Sequence, residues 1–312
     1  MTRVVHLDLD NTLIYSYKHI LPDSISCPAV CAQGTAGRPS SDASGSEDAE
    51  KEKEYKKCGR VWKSVEIYQG RNISYMTEKT RKLLIKLRKK CLIVPTTTRT
   101  VEQYSRIRIP SADGMTEQQY SRRERQYNHD RAGADMFEYA LVCNGGVLLV
   151  DGESDRSWYE QSRELIADCT GELKRALGLL EREPLRKFGL RFIEELFIFT
   201  KCKDPDTVIA RLNKELNTER VDVLGNGEKV YVVPKKLNKG TAVRRFREYI
   251  GADEVIAAGD SAFDVPMAEA ADIGIVPNGF CETYQAEGNM KEMKGEHVFS
   301  EEMLAWIDGY IR

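Results

Sequence analysis

The apolar run Val4-Val5-His6-Leu7 leads straight into two carboxylates, Asp8 and Asp10, with Thr12 two residues further on. An unpaired carboxylate is costly to bury. A strand over residues 3–9 can therefore lie inside a sheet only if its end opens at a rim, where the acids meet a cation or do chemistry. The same pattern recurs along the chain. Thr77 to Lys90 is an amphipathic helix with Leu83, Leu84 and Leu87 on one face. Cys91 to Val94 is a second buried strand that runs into Pro95 and then Thr96-Thr97-Thr98-Arg99. Tyr139 to Cys143 is a third strand, and Asn144-Gly145-Gly146 turns it back into Val147 to Val150. Further on, Lys239 to Ile250 reads as a helix and Val255 to Ala258 as a strand ending in Gly259-Asp260. A helix around 264–270, a strand from Ile273 to Val276 and a helix at 301–311 follow. Strands alternating with helices imply an α/β fold with a doubly wound, Rossmann-like parallel sheet.

One block breaks the alternation. A helical region from Trp158 to Leu180 precedes strands at about 187–193 and 195–201. A helix opened by Asp204-Pro205-Asp206 runs to Leu216, and strands at about 220–224 and 229–233 follow. This order implies a small α+β domain with an antiparallel sheet at 152–235, inserted into a core made of 1–151 and 236–312. Residues 32–53 and 110–135 are small, polar and charged, and are expected to be mobile inserts. Order is expected to resume near Trp62, with the strand-like VEIY at 65–68. EQYSR at 102–106 is echoed by EQQYSR at 117–122, a single echo and not a solenoid period.

Composition narrows the function. The 47 basic and 49 acidic residues nearly cancel, which argues against a dedicated nucleic-acid or membrane-surface binder. Residues 106–131 carry six arginines against four acids, a pattern that a solvated helical face explains more simply than a nucleic-acid patch. No apolar run approaches the roughly 20 residues of a membrane span. The chain opens in a strand pattern rather than a leader, so a cytoplasmic location is expected. The eight cysteines fit no standard zinc spacing. Asp8-x-Asp10 is no EF-hand, because Leu13 and His19 stand where that loop needs Gly and Glu. Serine-hydrolase, P-loop and HExxH motifs are absent.

In open parallel sheets, ligands bind outside the carboxyl ends of the strands. If the strands ending in Asp8/Asp10, Thr96–Arg99 and Asp260 are neighbours, then four acids (Asp8, Asp10, Asp260, Asp264), a hydroxyl and Lys239 converge. Clustered carboxylates repel one another without a cation, and hard oxygen ligands suit Mg²⁺. A lone DxD is usually a solvated pair. Here it follows an apolar strand and is joined, in order, by three further motifs.

With those residues in view, the chain resembles phosphatases of the haloacid dehalogenase superfamily. It is most similar to the Cof-like group with a C2-type cap, kin to sucrose-phosphate and mannosyl-3-phosphoglycerate phosphatases. Its DxDxT is Asp8-Leu9-Asp10-Asn11-Thr12. Its second-motif hydroxyl is Thr97 in Thr97-Thr98-Arg99, with Thr96 as the alternative. Its Lys-Gly is Lys239-Gly240, its GDxxxD is Gly259 to Asp264, and Asn144-Gly145 matches the turn before the cap. The matches run from residue 8 to 264. Asn11, Thr98 and Phe263 depart from a more usual Gly, Gly and Asn.

The resemblance implies a Mg²⁺-dependent phosphatase acting on a small phosphorylated metabolite, such as a sugar phosphate, through an aspartyl phosphate. It implies Asp8 as nucleophile, Asp10 as general acid and base, and Thr97 and Lys239 as phosphoryl ligands. Mg²⁺ would rest on Asp8, the Asp10 carbonyl and Asp260, with Asp264 supporting the site from behind these ligands or through water. Thr12, Arg99, Asn144 and Ser261 are candidate supporting residues. Gln103 and Arg106 read as a helix face. Two other readings share these motifs: a phosphomutase of phosphomannomutase type, and a catalytically idle phospho-ligand sensor.

Overall fold

The computed structural model describes residues 1–20, 54–57, 59–109 and 136–311. The hydrophilic stretches at 32–53 and 110–135 lie outside the described residues, as do Cys27, Cys31 and Cys58. Val4, Val5, His6 and Leu7 are wholly buried, which requires cover on both faces of their strand. Arg3–Leu7 is accordingly central. It pairs in parallel with Glu254–Ala258 on one side and Leu92–Pro95 on the other. Ile273–Val276 and Met290–Glu292 extend the sheet outward, also in parallel. On the opposite flank a parallel bridge from Thr96 to Leu141 joins the Tyr139–Val142/Val147–Val150 hairpin.

The period-two alternation of the central strands sorts their side chains between two helical layers. Val4 packs with Phe246 and Ala242 of the Lys239–Ile250 helix, and Val255 and Ala257 pack with Val243 and Met267. Val5, Leu7, Ile256 and Ala258 face the other way and join the cluster of Leu84, Leu87, Leu304 and Ile307, from the helices Glu78–Leu87 and Phe299–Tyr310. The expected doubly wound α/β fold is present, with each strand ending at the same rim.

A second sheet is antiparallel, in the order Arg191–Ile193, Phe197–Lys201, Lys229–Pro234, Val221–Asn226. Ile198, Val230 and Val232 on one of its faces are buried in one cluster with Leu173, Ala176 and Leu180 of helix Thr170–Glu181 and Val208 and Leu212 of helix Pro205–Glu215. The single helical region read from the sequence is two helices, Arg156–Leu165 and Thr170–Glu181, separated by a short 3₁₀ turn at Ala167–Cys169.

A third sheet is larger than the sequence suggested. Tyr15–Ser16, Arg71–Thr77, Arg60–Tyr68 and Glu54–Lys57 form four antiparallel strands, where only VEIY had a strand signature. Its tight turn is Gln69-Gly70, both at positive φ (50° and 74°). Such primed turns favour Asn, Asp or Gly first, so Gln69 hides the hairpin. Two further short elements, Phe280–Tyr284 and Met290–Glu292, also lacked a legible pattern. No helix among the described residues is long and apolar enough to cross a membrane.

Two glycines fix how the Lys239–Ile250 helix approaches its neighbours. A Cβ on Gly240 would lie 2.1 Å from the carbonyl oxygen of Pro266, and one on Gly145, at φ +86°, would lie 2.2 Å from Cβ of Ala242. Backbone cannot yield as a side-chain tip can. Gly240→Ala should therefore cost at least the ~1–3 kcal/mol typical of overpacking, seen as a lower melting temperature than that of a Gly251→Asn control, whose αL position has open space around it.

Candidate active site

Asp8 is seated at the rim by the sheet itself: its N–H donates to Ala258 O at 2.9 Å. On the neighbouring strand, Thr96 N–H donates to Leu7 O and Thr97 N–H to Leu141 O, each at 2.8 Å. Beyond Asp8 the chain folds back on itself. The N–H groups of Leu13 and Ile14 both donate to Leu9 O, and Asn11 takes φ 60°. Asparagine tolerates this left-handed conformation better than most residues, so Asn11 can replace a Gly there without altering the turn.

Lys239, the first residue of its helix, is almost fully buried. Its Nζ lies 2.5 Å from Asp8 Oδ1 and 2.5 Å from Asp264 Oδ1. Asp264 Oδ2 accepts from Asp260 N–H (3.1 Å), Ser261 N–H (2.9 Å) and Ser261 Oγ (2.7 Å). Asp260 Oδ1 accepts from Thr12 Oγ1 at 3.0 Å. Asp8 Oδ2 and Asp260 Oδ2 stay outside these hydrogen bonds. One carboxylate oxygen from each of Asp8, Asp260 and Asp264 lies within 4.8 Å of the others, a spacing that could hold a metal ion.

The electrostatics follow from that crowding. Burial pushes the Asp8 carboxyl well above its usual range; Lys239 opposes this, while Asp264, Asp260 and Asp10 add to it. Asp260 is pushed up to about 7, first by burial and then by Asp264. Burial works against the charge on Lys239, but Asp264 and Asp8 more than offset it and raise the ammonium's pKa.

Asp10 sits differently. Its side chain is 51 % exposed, and both oxygens accept from Arg99, at 2.8 Å from Nε and 2.8 Å from Nη2. The surrounding protein pushes its pKa up, but the charge and hydrogen bonds of Arg99 outweigh this and hold it below the usual carboxylate value. Arg99 is braced from behind by Glu66, 1 % exposed, at 2.9 Å. Glu66 also accepts from Arg106 (3.2 Å) and Ser74 Oγ (2.6 Å). The sequence reading missed Glu66. Its only trace is an acid at a buried phase of VEIY. Arg106 is thus a buried-acid partner rather than part of a helix face, while Gln103 closes a capping box with Thr100.

The two candidate threonines separate cleanly. Thr96 Oγ1 is turned inward, 2.9 Å from His6 Nδ1 and 3.2 Å from Val94 O. Thr97 Oγ1 accepts from the N–H of Arg99 at 3.2 Å, which leaves its proton available. Two of the supporting candidates serve as ties. Asn144 Nδ2 donates to Leu237 O (2.8 Å), fastening its turn to the loop before Lys239, and Ser261 is spent on Asp264.

A parallel sheet with acids and a buried lysine at its carboxyl rim stands beside an antiparallel sheet with its own helices, and in both sequence and fold the chain is similar to hydrolases of haloacid dehalogenase type. A model of haloacid dehalogenase-like hydrolases matches residues 181–278, the stretch that carries Lys239, Asp260 and Asp264. The chain is similar to a phosphoglycolate phosphatase of Methanopyrus kandleri, 29 % identical over 190 residues, covering 58 % of this chain and 79 % of that one. It is also similar to one from Methanothrix thermoacetophila, at 29 % over 143 residues, 45 % of this chain and 60 % of the relative. In fold it is similar to a phosphatase of the haloalkanoate superfamily from Bacteroides thetaiotaomicron, with a TM-score of 0.50, 14 % identity, and 99 % and 95 % of the two chains covered.

Lys239→Met would leave Asp8 and Asp264 buried without their cation. Removing one partner of a buried pair costs about 3–5 kcal/mol. Urea denaturation at pH 8 should show a loss of that order, and the loss should shrink at pH 5, where protonation relieves the stranded acids.

Proposed function

We propose that the chain is a Mg²⁺-dependent phosphatase that hydrolyses a small phosphate monoester through an aspartyl-phosphate intermediate on Asp8. The observation that carries this is the contrast between two carboxylates on one rim. Asp8 is buried and pinned by Lys239 through Oδ1, which leaves Oδ2 to attack. Asp10 is open and held by Arg99. One acid is placed to be a nucleophile, the other to exchange protons.

Asp8 Oδ2 attacks phosphorus as the bond to the alcohol oxygen breaks, and protonated Asp10 gives its proton to the leaving oxygen. Asp10 then takes a proton from the water that attacks the aspartyl phosphate. This releases inorganic phosphate and regenerates the Asp8 carboxylate. Arg99 keeps Asp10 ionised before substrate arrives. An entering phosphoryl dianion competes for that guanidinium and favours protonation of Asp10. Thr97 Oγ1 and Lys239 Nζ hold the equatorial phosphoryl oxygens, where negative charge builds up.

The donor set fits Mg²⁺: hard carboxylate oxygens, two of them, Asp8 Oδ2 and Asp260 Oδ2, without a hydrogen bond among the described residues. Asp8, Asp260 and the Asp10 carbonyl would hold the ion, with Asp264 behind them. When bound, it would offset charge on the phosphoryl group.

Residues 152–235 would serve as a cap that shields the site from water and selects the substrate. Their contact with the core supports this, since the Tyr231 ring lies 5.1 Å from that of Phe263, inside the GDxxxD segment. The names of the relatives make phosphoglycolate the first ester to try, and the motif resemblance adds sugar phosphates. A cytoplasmic setting is consistent with the free thiols of the described cysteines Cys91, Cys143, Cys169, Cys202 and Cys281.

Rapid quench with p-nitrophenyl phosphate and intact mass measurement test the two acids. Asp8→Asn should show no covalent phosphate. Asp10→Asn should accumulate it on Asp8, with turnover reduced about 10²–10⁴-fold. Phosphate release that required a bisphosphate activator would point instead to a mutase.

The raised pKa of Asp260 gives a pH signature. Metal-free protein binds protons more tightly folded than unfolded between the ordinary carboxylate value of 3.8 and about 7. The Asp260 contribution to stability should therefore fall as pH rises through that window, read as the difference between the natural protein and Asp260→Asn. Mg²⁺ should restore the loss and release protons on binding, measurable by calorimetry in buffers of different ionisation enthalpy. Unchanged turnover after exhaustive chelation would refute the metal assignment.

A further inference from the structure

The face of the antiparallel sheet that looks onto the rim carries two lysines; Lys201 Nζ lies 5.9 Å from the Phe188 ring centroid, and neither lysine is ion-paired among the described residues. Lys201 and Lys229 are direct cross-strand neighbours in its two central strands. Phe199 and Tyr231, the next cross-strand pair on the same face, stack on each other with centroids 5.6 Å apart. Tyr231 then touches Phe263 of the core. Because alternate residues of a strand share a face, that contact fixes the direction in which Lys201 and Lys229 point: toward the rim that holds Asp10 and Arg99. The other face, with Ile198, Val230 and Val232, is buried under helices.

Like charges directly opposite on adjacent antiparallel strands are unfavourable. Here two ammonium groups are so placed, and Lys229 is partly buried as well. Neither has a carboxylate within ion-pair distance among the described residues. The nearest acid in sequence, Glu228, is bound by Lys187. The Arg99 guanidinium, which also repels Lys229, is already committed to Asp10 and Glu66. Asp10 is the one acid of the rim that Lys229 feels, and Arg99 already holds both its oxygens. Desolvation and like-charge neighbours lower the pKa of Lys229. Two cross-strand lysines on the face toward the rim repel each other until an anion lies between them.

We propose that Lys201 and Lys229 form a subsite for a second anionic group of the substrate, so that the preferred ester carries a carboxylate or further acid besides its phosphoryl group. The inference rests on the phosphatase reading above and adds its specificity-determining residues. The phosphoryl group sits at Asp8, Thr97 and Lys239. The remainder extends toward the sheet, and its anionic end is clamped between the two ammonium groups by charge-assisted hydrogen bonds. Tyr231 and Phe263 wall the path between, which suits a short, compact linker.

The test compares esters that differ only in the second acid: 2-phosphoglycolate against ethyl phosphate, and 3-phosphoglycerate against glycerol 3-phosphate. In the natural protein, kcat/KM should favour the acid-bearing member of each pair by about tenfold or more. Lys229→Met and Lys201→Met should each cut that ratio several-fold, chiefly through KM, and Lys229→Arg should restore much of it. A binding readout runs alongside. In the Asp8→Asn protein, which cannot turn over, 2-phosphoglycolate should raise the melting temperature more than ethyl phosphate, and adding Lys229→Gln should abolish the difference. A ratio near one in the natural protein, or one that neither substitution moves, would overturn the subsite even if phosphatase activity is strong. Loss of all turnover with the melting difference intact would overturn the phosphatase reading and leave the subsite standing.

Discussion

The ammonium of Lys239 is the contact on which the rest of the rim depends. Asp8, Asp260 and Asp264 come from two strands far apart in sequence, and three carboxylates within 4.8 Å of one another would repel. Lys239 bridges Asp8 and Asp264 at 2.5 Å to each, and Asp264 in turn caps the turn that holds Asp260. The lysine can reach that point because its helix lies close against the segment at Pro266. Gly240 makes that approach possible, since any Cβ there would strike the Pro266 carbonyl. The Lys-Gly pair is thus a charge and the clearance needed to deliver it.

The second acid is governed from outside the central sheet. Asp10 is held by Arg99, and Arg99 is braced by Glu66 on a separate antiparallel sheet. A nearly buried carboxylate such as Glu66 is sustainable because two guanidinium groups and a hydroxyl satisfy it. The two acids of the DxD thus sit in opposite environments, one pinned by a buried lysine and one clamped by an arginine near solvent. That contrast is what the proposed division into nucleophile and acid–base group rests on.

Much of this was legible in the chain. Apolar runs ending in Asp8, in Thr96-Thr97 and in Asp260 mark three strands that share a rim, because a parallel sheet exposes its polar chemistry only at strand ends. The helix over 205–215 was marked by Asp204-Pro205, which the structure keeps as its N-cap and first residue, and the structure adds Asn238 as the cap of the helix over 239–250. The four-stranded sheet from Tyr15 to Thr77 was not legible. Its turn uses Gln69 at positive φ, and its strands are polar enough to resemble loops. The choice between Thr96 and Thr97 was equally closed to sequence. Adjacent residues on a strand point to opposite sides, and only the position of His6 reveals that Thr96 faces inward.

What the sequence by itself determined is the set of chemical groups and their order: two acids after a strand, a hydroxyl after the next, then Lys-Gly and a second acidic pair. That much follows from local pattern, since period and punctuation specify strands, helices and turns. Only the tertiary structure decided which groups meet. It paired Lys239 with Asp8 across 231 residues, Arg99 with Asp10 across 89, and turned Lys201 and Lys229 toward the same rim. Such pairings depend on strand order and register, which arise from burying apolar faces across the whole molecule, and no local stretch of chain carries them.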